Sequence, residues 1–188
     1  MTGIGPHVRS LACPSCGHWV FVTDGAWTDG GRFAHALDAP PLLRVGRALV
    51  LDGSARVVAG RVRLGDEESH WDEWWLTDET GEGLWLEEDG GRYLLHESVA
   101  HAPAAGAFRA LGVGQTFEAG GIPWFVTESF VARVLGAEGE LPVAFDVRES
   151  VRCLDALADG RELSVEIWGE EVSASIAMPL DAARLLVS

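Results

Sequence analysis

The run HWDEWWLT (residues 70–77) is the clearest fold signal in this chain. In an extended strand, Trp71 and Trp75 would point to one face and Trp74 to the other, so at least one row of Trp belongs to a core. Runs of similar length and β-favouring composition surround it, separated by Gly and Asp turn residues: RALVLD (47–52), ARVVAGRVRL (55–64), GLWLEED (83–89) and GRYLLHE (91–97). This spacing is typical of small barrels and sandwiches and predicts a mainly β protein.

An internal repeat extends this prediction to the second half of the chain. The frame V-G-x6-G-x4-V begins at Val45 and again at Val113, and residues 84–95 and 163–176 each have the pattern of a hairpin around a Gly-containing acidic turn. Internal similarity of this kind is a sign of repeated architecture. It predicts two related small barrel-like (SH3-like) modules in tandem, at residues 42–97 and 112–188, joined by an Ala-rich linker at 98–111.

The two ends of the chain differ from these modules. Residues 1–41 are punctuated by Gly, Asp and Pro, which predicts a poorly structured segment that carries a single C-x-x-C half-knuckle. Residues 179–187, PLDAARLLV, favour one short C-terminal helix with Pro179 at its start and Leu180, Leu185 and Leu186 packing inward.

Charge excludes several classes of function. The 188 residues carry a net charge of −15, and all 14 basic residues are Arg. An acidic chain is repelled by nucleic acid and by anionic lipid surfaces, whereas cations and basic proteins are attracted. Because the chain has no Lys, it can form neither a Schiff base nor a Walker-type phosphate site. It also has no apolar stretch of about 18 residues and no signal peptide, so we expect a cytoplasmic protein without membrane insertion.

The cysteines allow one metal hypothesis. Cys13 and Cys16 form a C-x-x-C pair, which supplies half of the four ligands of a structural zinc site. The other ligands would be His18 with His7 or His35. A relic knuckle or a surface turn is the alternative. The third cysteine, Cys153, is expected to be a buried thiol.

Residues 96–101, HESVAH, resemble the H-E-x-x-H helix of zinc proteases but contain one residue too many. Histidines five residues apart lie about 140° from each other around a helix, so they cannot share a metal on one face. We interpret this stretch as a solvent-facing linker. Since the chain also lacks a nucleophile elbow, a dinucleotide fingerprint and a P-loop, we predict that it is not an enzyme.

Short motifs in both halves carry a family resemblance. They are W-D-E-W-W-L (71–76) and W-L (85–86), then A-R-V (132–134), G-E-L-P (139–142) and L-S-V-E-I-W-G-E-E-V (163–172). Over roughly residues 42–186 the chain resembles the bacterial family called domain of unknown function 4178. Similar proteins often carry a zinc ribbon with two C-x-x-C knuckles and a Trp where this chain has Val143. The resemblance associates the chain with membrane-stress and polyamine-linked systems and implies no mechanism.

A ligand site is suggested by residues 66–89, which mix Trp with Asp and Glu and contain no Lys or Arg. Aromatic faces accept methylenes and ammonium groups, and carboxylates hold the amine ends, so this composition suits a polyamine. The candidate ligand-binding residues are Trp71, Asp72, Glu73, Trp74, Trp75, Trp85 and, from the G-E-L-P run, Glu140. The alternative is structural, with the Trp residues in the core and the acidic turns in solvent.

We therefore expect a non-enzymatic binding or adaptor domain that engages a basic protein partner through its acidic, Trp-rich surface. A polyamine sensor is the second hypothesis. An adaptor should expose an apolar patch, whereas a sensor should enclose a pocket lined by Trp faces and carboxylates.

Overall fold

The computed structural model confirms the mainly β prediction. It describes residues 6–13, 15–32, 42–66, 69–99, 105–146, 148 and 150–187. Within these ranges the strands are β1 Ser10–Ala12, β2 His18–Thr23, β3 Ala26–Arg32, β4 Ala48–Leu51, β5 Ser54–Gly65, β6 His70–Thr77, β7 Gly83–Asp89, β8 Arg92–Ser98, β9 Thr116–Ala119, β10 Ile122–Leu141, β11 Ser150–Ala158, β12 Arg161–Trp168, β13 Glu171–Leu180 and β14 Leu185–Val187. The helices described are α1 Ala105–Arg109 and a 3-10 turn, Ala182–Arg184.

Eight strands close into one barrel. Around the barrel the order is β5, β6, β7, β8, β13, β12, β11 and β10, and β10 pairs back onto β5. Every pair is antiparallel, and each half of the chain supplies four of the eight strands. The prediction of two separate modules in tandem is therefore not confirmed, because the two halves share a continuous ring of hydrogen bonds.

The two halves nevertheless repeat their local structure. The Gly46 amide donates to the Val58 carbonyl at 2.8 Å, and the Gly114 amide donates to the Val126 carbonyl at 2.9 Å, at matching positions of the repeat frame. Each long strand, β5 and β10, also carries a bulge directly after that Val. The predicted hairpins at 84–95 and 163–176 are present as β7–β8 and β12–β13.

The closure of the barrel depends on glycine. Gly60 of β5 lies opposite Gly139 of β10. A Cβ atom at Gly60 would collide with the carbonyl oxygen of Glu140, and one at Gly139 would collide with that of Ala59. Gly139 also has a φ of 70°, which side chains rarely tolerate. Only glycine lets these two backbones approach so closely.

Three apolar clusters fill the fold. One joins residues of the first half, such as Trp74 and Leu76, to Leu180 and Leu185. A second is built from the second half around Trp124. The middle cluster combines both halves with the N-terminal strands, and half-buried Trp side chains pack against it. This middle layer lies between the two halves and borders the cavity described below.

Both chain ends differ from the predictions. In the described part of the N-terminal segment, β1, β2 and β3 form an antiparallel meander and β1 pairs with β10, so this part is not poorly structured; residues 33–41 lie outside the described residues. The predicted C-terminal helix is wrong. Pro179 and Leu180 end strand β13, only the 3-10 turn follows, and Leu185 begins a strand that pairs with β4. A helix of about nine residues is only marginally stable by itself, whereas pairing with the edge strand β4 anchors this segment to the sheet.

Candidate functional site

A partly enclosed cavity lies in the barrel, between the two halves. Its volume is about 340 Å³. Its lining combines aromatic, acidic and hydroxyl side chains from both halves, among them Trp85, Phe145, Trp168, Glu73, Glu166, Glu171, His96, Ser98, Ser164, Ser173 and Ser175. His96 is the one basic side chain among the lining residues. The cavity is thus acidic and aromatic, as a site for a cation requires.

Strand alternation brings two carboxyl groups together at the cavity. Glu73 lies on β6 and Glu166 on β12, which are opposite strands of the ring. The two side chains are in hydrogen-bond contact. The Trp71 indole N–H donates to Glu73 at 3.0 Å, and the Trp168 indole N–H donates to Glu166 at 3.2 Å. Each carboxyl group is therefore oriented by a Trp two residues away on its own strand.

Burial and close proximity perturb the titration of Glu73 in this carboxyl pair. Burial, followed by the neighbouring Glu166, raises the pKa of Glu73 well above its ordinary value. Burial and the same two Glu residues also raise the pKa of the Cys153 thiol. Cys153 is 2 % exposed, so the prediction of a buried thiol is confirmed. Two touching carboxyl groups without a counterion favour one protonated partner, or a bound cation in its place.

Aromatic rings form the walls of the cavity. The rings of Trp75 and Trp85 lie 5.1 Å apart, as do those of Phe145 and Trp168. Phe145 also contacts Trp19 of β2 at 4.8 Å, and the Trp19 indole N–H donates to the Phe145 carbonyl at 3.1 Å. The N-terminal meander thus supports a residue that lines the cavity.

A hydrogen-bonded relay borders the same space. His96 Nδ1 lies 2.7 Å from Ser175 Oγ, and His96 Nε2 lies 3.0 Å from Glu87 Oε2. Ser175, His96 and Glu87 thus follow the order of nucleophile, base and carboxylate found in catalytic triads. Acyl transfer would, however, build an oxyanion in a cavity that holds Glu73 and Glu166, and negative neighbours destabilise it. The chemistry of this cavity favours positive charge.

The carboxyl group of Asp155 makes the stability of the folded protein depend on pH. Burial, followed by the charges of Glu162, Glu128 and Glu87, raises its pKa to about 6, although Ser164 donates a hydrogen bond to it. Between pH 4 and pH 6 the unfolded chain loses this proton while the folded chain keeps it, so stability falls as pH rises. We expect Asp155→Asn to be more stable than the wild type at pH 7 by about 1–3 kcal/mol.

Urea unfolding at a series of pH values from 4 to 7 measures this effect. At pH 4 the stabilities of Asp155→Asn and the wild type should converge, because Asp155 is then protonated in the folded protein. A matched control is Asp89→Asn, whose carboxylate is exposed at a hairpin turn. A constant difference between Asp155→Asn and the wild type at every pH would contradict the titration of Asp155.

The other face of β6 carries a buried ion network. Arg61 and Arg63 each donate two hydrogen bonds to Asp72, at 2.7 to 2.9 Å. Although burial works in the opposite direction, these bonds hold the pKa of Asp72 below its ordinary value. The Arg61 guanidinium also lies over the Trp74 ring, 4.7 Å from its centre. Asp72 and Trp74 are therefore already engaged inside the fold.

The predicted ligand residues therefore lie in different environments, and only some of them line the cavity. Glu73 and Trp85 line the cavity, while Trp71 and Trp75 lie on the same face of β6 and pack beside it. Glu140 lies opposite Leu11 of β1 and is not among the lining residues. Val143, which stands where similar proteins often have Trp, is one of the lining residues.

Sequence reasoning missed several cavity residues of the second half and the position of His96 beside them. The stretch interpreted as a solvent-facing linker begins within β8, where His96 is half-buried and faces the cavity; His101 lies outside the described residues. The available signal was the hairpin repeat, which aligns Glu87 with Glu166 and His96 with Ser175. Alternation along these hairpins then places all of them on one face.

The described residues do not complete the predicted zinc site. Cys13 and Cys16 are free thiols on a turn, and the His18 imidazole contacts Asp29 at 3.3 Å. Within the described ranges no group of three or more His, Cys, Asp or Glu side chains is placed to hold a metal. His7 lines a cleft beside Trp75, and His35 lies outside the described residues. Structural zinc requires four ligands, so zinc binding stays a prediction.

A family model matches most of the chain. In the ranges that the structure describes, no helix has the length and apolar character to cross a membrane. Neither a search of curated proteins nor a search of solved structures finds a match. The model of DUF4178, a domain of unknown function, matches residues 44–182, which include all eight barrel strands and the cavity they enclose. The chain therefore belongs to the DUF4178 family.

Proposed function

We propose that this protein binds a small organic cation in the barrel cavity and acts as a sensor or carrier of that ligand, without catalysis. The observation that most directly supports this proposal is the contact between Glu73 and Glu166 in a cavity lined by Trp85 and Trp168. An ammonium group would neutralise the carboxyl pair, whose mutual repulsion otherwise favours protonation. The Trp faces would contact its methylenes and its charge.

Attraction between these groups is stronger here than at the protein surface. Charges in a partly enclosed space are screened less by water and salt than exposed charges are. The Ser side chains of β12 and β13 add hydroxyl acceptors for ammonium N–H groups. The indole donors of Trp71 and Trp168 keep both carboxyl groups in place when the ligand is absent.

Intrinsic Trp fluorescence tests the proposal, because Trp85 and Trp168 line the cavity. Spermidine is titrated at low and at physiological ionic strength, with magnesium chloride as a parallel titration. We expect saturable binding that survives physiological salt, and at least a tenfold weaker affinity in Glu73→Gln and in Glu166→Gln. The control Glu170→Gln removes an exposed carboxylate and should bind as the wild type does.

A signal that magnesium reproduces, or that disappears at physiological salt, would contradict the proposal, since it would indicate diffuse attraction to the acidic surface. Equal affinities of Glu73→Gln and the wild type would place the ligand elsewhere. Circular dichroism of each variant establishes that the barrel is intact.

A basic protein partner is a second proposal, and one exposed patch supports it. Phe125 and Leu157 lie opposite each other on β10 and β11, 49 % and 46 % exposed, with Glu162 opposite Leu157 and Glu128 nearby. Apolar side chains rimmed by carboxylates suit a basic amphipathic segment. Binding of a labelled Arg- and Leu-rich peptide that is lost in Phe125→Ser but kept in Glu73→Gln would support this partner.

We further propose that the two halves are repeats of one ancestral unit. The matching hydrogen bonds and bulges of β5 and β10 support it. A cytoplasmic location also stays a proposal, consistent with the free thiols of Cys13 and Cys16.

A further inference from the structure

The cavity offers carboxylates at two depths. Glu73 and Glu166 meet at its inner end, whereas Glu171, at the start of β13, is an exposed lining residue. In the β12–β13 pair, Glu166 lies opposite Ser173 and Trp168 lies opposite Glu171. The inner and outer carboxylates are therefore separated by one two-residue step along the strands, about 7 Å.

An aromatic surface lies along this step. Trp168 connects the two levels, because its backbone lies opposite Glu171 and its indole N–H donates to Glu166 at 3.2 Å. Its ring contacts Phe145, and both rings line the cavity. The cavity wall is thus apolar between the inner carboxylates, Glu73 and Glu166, and the outer carboxylate, Glu171. Such a wall suits methylene groups and excludes a second charge from the middle of the ligand.

We infer that the ligand is a linear aliphatic diamine, with one ammonium group between Glu73 and Glu166 and the other at Glu171. This inference rests on the proposed function. A chain of four methylenes between two ammonium groups matches the step between the two levels. Glu171 is then the specificity-determining residue, since it contacts only the second ammonium group and distinguishes a diamine from a monoamine.

Isothermal titration calorimetry with amines of defined length tests this assignment. At physiological ionic strength we expect 1,4-diaminobutane to bind about tenfold more tightly than butylamine. Diaminoethane, which is too short to reach both levels, should lose this advantage. Glu171→Gln should weaken the binding of 1,4-diaminobutane about five- to tenfold and leave butylamine unchanged, because butylamine has no second ammonium group.

Glu170→Gln is the matched control. It removes the same charge one residue earlier, from a side chain that is 86 % exposed and pairs with Arg109. The preference for the diamine should persist in this variant, which separates a contact at Glu171 from a change in net charge. Loss of the preference in Glu170→Gln as well would overturn the assignment of Glu171.

The possible failures are distinguishable. If neither amine binds the wild type, the proposed function itself is wrong. If butylamine and 1,4-diaminobutane bind the wild type equally, the cavity binds cations but is not selective for diamines. If Glu171→Gln weakens both amines equally, Glu171 acts through general attraction, and the two-level arrangement is wrong.

Discussion

Asp72→Asn should lower the free energy of unfolding by about 3–5 kcal/mol, the largest effect that we expect from a single substitution. Asp72 accepts four hydrogen bonds from Arg61 and Arg63, and the Arg61 side chain is fully buried. Asn has nearly the same shape but no charge. The variant would therefore remove the carboxylate that accepts four hydrogen bonds from two guanidinium groups in the interior.

Among the described residues, Glu88 is poorly suited to take over this function. Glu88 lies opposite Asp72 on β7, but it accepts hydrogen bonds from the Trp74 indole and the Tyr93 hydroxyl. Burial raises the pKa of Glu88, which further weakens it as a replacement counterion. The depressed pKa of Asp72 also means that the wild type loses this stabilising contribution as pH falls below the ordinary range of an Asp.

Urea unfolding at pH 7 measures the effect. The control is Glu170→Gln, which breaks the exposed ion pair with Arg109 and should change stability by less than about 1 kcal/mol. If Asp72→Asn were as stable as this control, the network would contribute nothing beyond an ordinary surface pair. That result would contradict the burial of the network.

Trp19→Ala is the second large effect, and we expect it to cost about 3–5 kcal/mol. Trp19 is fully buried, its indole N–H donates to the Phe145 carbonyl, and its ring packs on that of Phe145. Removal of the indole leaves a cavity between the N-terminal meander and the barrel. Because Phe145 lines the ligand cavity, the same variant should also weaken amine binding.

Trp27→Ala is the matched control, since Trp27 lies in the same meander but is 47 % exposed. We expect less than about 1 kcal/mol from it and no change in amine affinity. Thermal unfolding and calorimetric titration of both variants measure the two effects. Equal losses in Trp19→Ala and Trp27→Ala would show that the meander is held by its strand pairing and not by the buried indole.

Much of the local structure could be predicted from the sequence. Alternation in HWDEWWLT separates Trp71 and Trp75 from Trp74, as the structure confirms. Asp-Gly pairs predict tight turns: Asp52-Gly53 and Asp159-Gly160 both have positive φ angles and connect consecutive antiparallel strands. These features depend on a few consecutive residues, so no distant partner is needed to recognise them.

Which carboxyl groups meet at the candidate site is decided by the tertiary structure alone. Glu73 and Glu166 meet because β6 and β12 are opposite strands of one ring, and that ring exists because β5 pairs with β10 and β8 pairs with β13. Those pairings join the two halves, which the sequence predicted as separate modules. Register between distant strands depends on the packing of both faces, which local pattern does not contain.

By itself, then, the sequence determined the strand class, the faces of β6, the hairpins and the acidic, Lys-free character of the chain. It did not determine which carboxylates are paired with Arg and which face the cavity. Asp72 and Glu73 are adjacent in sequence, yet one lies in a buried ion network and the other in the cavity. Consecutive strand residues point to opposite faces, and only closure of the barrel gives each face its environment.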